Sequence, residues 1–195
     1  MTNSAGACCL VGVMIATAAC SRISAAPIER RFVCNKFGFS MLVPPGWNVK
    51  TIGVLPMFFS LDPGDSIPVI HLPEGMATIH MGLVYGIPRG QPSPQWLRTL
   101  RDYTAGAAHG GGDTNPVLAP FQFPPEAGIS EAIVVTWDLP ISSPPKQVHH
   151  SVMICWRFQG NFLDACLHYV VGDPKGAEQE ETFFQTIRSF RPLRK

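Results

Sequence analysis

The side chains with the most chemical potential fall on one short stretch. Met153, Cys155, Cys166 and His168 recur at alternate positions of two neighbouring runs, so they share one face if both runs are strands. His80, in an earlier alternating run, is expected on the same sheet face. Thioether, thiol and imidazole together suit a soft metal such as copper(I). They equally suit the second buried face of a helix-covered sheet, where Met and Cys are ordinary core residues. Core is the first reading, with Met153, His168 and His80 as weak metal candidates and no cofactor expected. Cys155 and Cys166 are expected to face each other, close enough for a cross-strand disulfide in an oxidising compartment, or to remain two buried thiols. Cys34 is then the odd thiol. A redox-active pair is not supported, because the chain has no Cys-x-x-Cys.

Other chemistry is thin. His109-Gly110-Gly111-Gly112 resembles an oxyanion-hole loop, but the chain has no Gly-x-Ser-x-Gly elbow to supply a nucleophile. The same glycines follow a helix instead of opening one, and Asp113 after them repels phosphate. His149-His150 has no partner at ligand spacing and reads as a solvated edge. Trp47, Phe58, Phe59 and Trp96 read as core, or as a protein-contact patch if exposed together. No catalytic residue is assigned, and a non-enzyme is expected. A net charge of +1, with Lys and Arg scattered, gives no basis for nucleic-acid binding.

The elements that would position these residues follow from periodicity. The chain has 195 residues, enough for one domain with a real core plus a leader. Only 15% of residues are charged against 46% apolar, which excludes a disordered chain. Val148–Val171 reads as one long hairpin, with Gly160-Asn161 as its two-residue turn. That turn sets Gln159 opposite Phe162, Arg157 opposite Asp164, Cys155 opposite Cys166 and Met153 opposite His168. Val152, Ile154, Trp156 and Phe158 would form the other, apolar face with Leu163, Ala165, Leu167 and Tyr169. Further strands are expected at Phe37–Val43, Met57–Leu61, Val69–Leu72, Thr78–Ile87 and Glu131–Leu139. Ser93-Pro94 opens a helix near 93–108 with serine as N-cap and proline at the first helical position. Asp173-Pro174 opens a last helix near 174–188, and 110–128 reads as a proline-rich loop.

The N-terminus reads as an export signal. Ala5–Ala19 is uncharged, mostly apolar and too short for a comfortable membrane span. Thr17-Ala18-Ala19-Cys20 resembles a lipobox, which makes Cys20 the candidate lipidation site. Ser24-Ala25-Ala26 offers an ordinary cleavage site instead. The division is therefore a leader at 1–20, a tether at 21–34 and one domain at 35–193.

The order is mostly antiparallel strands with one helix mid-chain and one at the end, an α+β layout. Gly38-Phe39-Ser40 leading to Val43-Pro44-Pro45-Gly46-Trp47, the mid-chain helix, the long hairpin and the final Ile187-Arg188-Ser189-Phe190 resemble the PsbP-like (Mog/PsbP/DcrB-type) domains. That superfamily includes bacterial envelope lipoproteins. The resemblance spans about residues 35–193 and implies an α/β/α sandwich on a central antiparallel sheet. It also implies a domain that binds or assists another protein, in the periplasm or cell envelope and anchored to a membrane if Cys20 is lipidated. No functional residue carries over from the family.

Overall fold

A computed structural model describes residues 29–64, 72–83, 93–110, 116–142 and 145–194. The leader with Cys20, the strand expected at Val69–Leu72 (Leu72 apart) and the end of the one expected at Thr78–Ile87 lie outside the described residues. The strands are β1 (Arg31–Cys34), β2 (Phe39–Leu42), β3 (Asn48–Ile52), β4 (Leu55–Phe59), β5 (Ala77–Leu83), β6 (Val117–Pro120), β7 (Ala132–Ile141), β8 (Gln147–Phe158), β9 (Asn161–Val170) and β10 (Arg191–Pro192). The helices are α1 (Ser93–Gly110) and α2 (Gly176–Arg188). One sheet runs β3-β4-β5-β9-β8-β7-β6, all antiparallel, and a small sheet runs β1-β2-β10.

The large sheet carries a helix on each face. Alternation sends Ile154, Trp156, Leu163, Ala165 and Leu167 to one side, where they pack with Phe183 and Ile187 of α2 and with Phe39 and Met41 of β2. Phe190 stacks on Phe39 at 4.8 Å and meets Phe158 edge-on, fastening the small sheet and the end of α2 to the hairpin. On the other side Ile133, Val135, Met153, Cys155 and Cys166 form a second, smaller core. There α1 lies over the sheet, its Tyr103 bonded to Asp164 of β9. This is the expected sandwich, and Trp47, Phe58 and Phe59 are core within it.

The hairpin differs from expectation in register. The turn is Gln159-Gly160, both at positive φ (48° and 76°), as a type I′ turn requires. Asn161 therefore pairs with Phe158, and every partner moves by two residues. Cys155 now lies opposite Asp164, Met153 opposite Cys166, Ser151 opposite His168 and Arg157 opposite Phe162. The Gly-Asn pair was a valid turn signal, but glycine occupies the second turn position instead of the first. A two-residue slip equals the strand period, so each side chain keeps its face and loses only its neighbour. The expected Arg157–Asp164 pair and the direct Cys155–Cys166 opposition are therefore absent, and both cysteines are free buried thiols.

Other boundaries shift for local reasons. Residues 31–34 of the expected tether are β1, paired with β2 from Arg31↔Leu42 to Cys34↔Phe39. The 110–128 stretch contains edge strand β6 and a 3-10 turn at Pro125–Ala127. α2 begins at Gly176, two residues late, because the Asp173 carboxylate accepts from the Lys175 backbone N–H and the Gln179 side chain in the turn before it.

Candidate functional site

Register arranges the chemistry into rows across the second face of the large sheet. One row reads Met153, Cys166, His80, Met57 across β8, β9, β5 and β4. The next reads Ser151, His168, Thr78, Phe59. On the opposite flank of the first row lie Cys155, Asp164 and Gly82. Nitrogen or sulfur donor atoms of His80, Cys166 and His168 all fall within 4.8 Å of one another. Met153 and Met57, both buried, flank Cys166 and His80 in that row. The cluster thus sits between the core under α1 and a small patch of Met57, Phe59, Leu72 and Met76.

Burial sets the protonation states. His168 is lowered to about 3 by burial, with His80 and His149 adding to the shift, so it is neutral at ordinary pH. Its Nδ1 is 2.8 Å from the Ser151 hydroxyl. His80 is also lowered by burial, opposed by the nearby Asp164 charge, and its ring stacks on His168 at 5.1 Å. Burial raises the Cys166 and Cys155 thiols, with Asp164 adding to both; the Thr104 hydroxyl bond to Cys155 works the other way. Neither is a thiolate without a cation beside it. Burial likewise raises the Asp164 carboxyl against the pull of His80, Tyr103 and the Gly82 backbone. Its Oδ1 is buried without a hydrogen-bond partner, lying where a Gly82 Cβ would come within 2.2 Å.

This geometry bears on catalysis. Ser151 and His168 are a hydroxyl beside an imidazole, the pairing from which a nucleophile is made. Ser151 is fully buried mid-strand, and a histidine with a pKa of about 3 takes up no proton near neutrality. The pair is therefore a structural bond.

A second feature lies across the molecule. The Pro44-Pro45-Gly46-Trp47 turn and Thr182, Gln185 and Thr186 of α2 line a groove of about 790 Å³. Arg30, at the start of the described chain, also lines it and donates to the Trp47 carbonyl.

No protein-family model matches the sequence, and no curated protein matches it by sequence. Solved structures do match. LpqN, involved in cell envelope biogenesis in Mycobacterium tuberculosis, aligns with a TM-score of 0.52 at 10% identity, over 88% of each chain. The Ran-binding protein Mog1p of Saccharomyces cerevisiae aligns at 0.47 and 9% identity, over 85% of this chain and 95% of that one. Cyanobacterial PsbP of Synechocystis aligns at 0.45 and 11%, over 87% and 98%. At such identities the likeness to LpqN is one of fold. The α+β layout with a central antiparallel sheet read from the sequence holds.

The structure gathers some sequence candidates and separates others. His80, His168, Met153, Cys155 and Cys166 share the expected face, and of these His80, Cys166 and His168 bring donor atoms within 4.8 Å of one another, whereas Cys155 is not part of that trio. His149 is buried and bonded to Gln147, contrary to a solvated edge, whereas His150 reaches Asp138 at 2.7 Å near the surface. The roles of Asp164, Tyr103, Ser151 and Met57 were not foreseen. Asp164 carries a signal, a lone carboxylate at an inward position of an apolar strand, but the expected register pairs it with Arg157. Among the described residues no helix is long and apolar enough to cross a membrane.

Proposed function

We propose that this chain is an exported, non-enzymatic cell-envelope domain that acts by binding a protein partner, tethered to a membrane through a lipid on Cys20. The observation that carries the reading is the shared fold with an envelope-biogenesis protein over 88% of both chains. The uncharged leader ending in Thr17-Ala18-Ala19-Cys20 supports export, and the locked state of Ser151 and His168 argues against hydrolysis. The contact surface in this reading is the groove between the Pro44–Trp47 turn and α2, which is open and lies beside the point where the tether arrives.

Two measurements test it. The mass of the mature N-terminus reads a diacylglyceryl cysteine at position 20; an intact leader on envelope-free protein contradicts export. Capture from the native membrane fraction should recover a stoichiometric protein that is lost with Gln185→Arg in the groove and kept with Cys166→Ser. Equal capture by both variants, or none by the parent, removes the groove.

A further inference from the structure

We propose that His80, Cys166 and His168 bind one copper(I) ion, a site beyond the partner-binding role. The argument starts from donor type. Two imidazoles and one thiol are a soft set, with two thioethers in the adjoining row positions, and oxygen donors suited to magnesium or calcium are missing from the trio. The donors come from neighbouring strands β5 and β9, rigid elements that hold them by register. Their spread of up to 4.8 Å compares with about 3.5–3.8 Å between ligand atoms around a bound ion, so the site closes by about an ångström on loading.

Charge then selects the ion. Binding releases one proton: the Cys166 S–H bond is lost, a sulfur–copper bond forms and the proton leaves to solvent. One thiolate and two neutral imidazoles around a monovalent ion make a neutral unit, which an apolar surround tolerates. A divalent zinc ion in the same trio leaves a net positive charge there. The Asp164 carboxylate lies outside the trio, on the opposite flank of the first row between Cys155 and Gly82. With His168 Nδ1–H donating to the Ser151 oxygen, Nε2 is the nitrogen left with a lone pair for the ion, and such an outer partner orients a ligating imidazole.

The test is a copper(I) titration of the full reduced chain without oxygen, against a chromophoric copper(I) chelator. One equivalent should be retained, and X-ray absorption should read one sulfur and two nitrogens at short range, with any thioether longer. Cys166→Ser should weaken binding by about 100-fold or more and Ser151→Ala by about 10-fold, while Cys155→Ser keeps the parent affinity. His80→Gln, at a half-buried position, repeats the ligand test if the Cys166 variant does not fold. Copper retained equally by Cys166→Ser and His80→Gln overturns the site. So does copper lost on replacing the leader cysteines Cys8, Cys9 and Cys20 alone, equimolar zinc displacing the copper, or no copper retained by folded protein.

Discussion

Acid should unfold this protein partly through His168, and the effect can be sized. An unfolded histidine titrates near 6.5, whereas burial lowers His168 to about 3 in the fold. The folded state therefore excludes a proton that the unfolded state accepts. For a depressed histidine the stabilisation is complete above about pH 6.5 and is lost as pH falls towards 3. One pKa unit is about 1.4 kcal/mol, so this residue alone should remove about 1 kcal/mol by pH 5.5 and about 3 kcal/mol by pH 4. That is a large share of the 5–15 kcal/mol typical of a domain. Urea unfolding of metal-free protein at pH 7, 5.5 and 4 measures it, beside His168→Gln, which cannot titrate. The variant starts less stable at pH 7, having lost the imidazole packing on His80. Its stability should then fall with acid by about 3 kcal/mol less than the parent's. Parallel pH profiles would refute the claim that His168 is held neutral by burial.

Other outcomes follow from the same contacts. Gln159→Asn should stabilise by about 0.5–1 kcal/mol in urea unfolding, since Asn tolerates the positive φ of the first turn position better than Gln. Gly176→Ala should cost about 1–3 kcal/mol, because its Cβ would lie 2.7 Å from the Tyr169 ring, whose hydroxyl donates to Glu180 at 2.6 Å. Asp164→Asn acts with the opposite sign to His168: a raised carboxyl favours the fold at low pH and loses that contribution as pH rises through its folded pKa, so the variant should gain on the parent as pH rises from 4 to 8. Cys155 and Cys166 should resist alkylation at pH 8 until the domain unfolds and should show no mutual disulfide by non-reducing mass spectrometry.

Faces were legible in the sequence, and neighbours were not. Strand alternation assigns Met153, Cys166 and His168 to one side whatever the register, because any even slip preserves it. Which residue sits opposite Cys166 depends on whether the turn begins at Gln159 or Gly160. A glutamine at positive φ is uncommon enough that the sequence favoured the wrong choice. The Gln159 amide lies against Gly38, where a Cβ would be 3.4 Å from its Nε2, so the hairpin tip contacts the β1–β2 turn, which no local pattern encodes. Short strands escaped for a similar reason. β1 and β6 are four residues each, and β6 ends in proline at the sheet edge, where a missing N–H costs little. The convergence of His80 with His168 required the β5–β9 pairing between segments some 80 residues apart, and periodicity holds no information about that.

The most direct check on the whole arrangement is an NMR measurement of cross-strand NOEs on selectively labelled protein. Contacts of Cys166 with both Met153 and His80, together with contacts between the His80 and His168 rings, are the predicted result. Contacts of Cys166 with Cys155 and of Met153 with His168 in their place would mean the other register, and the three donors would not converge as described.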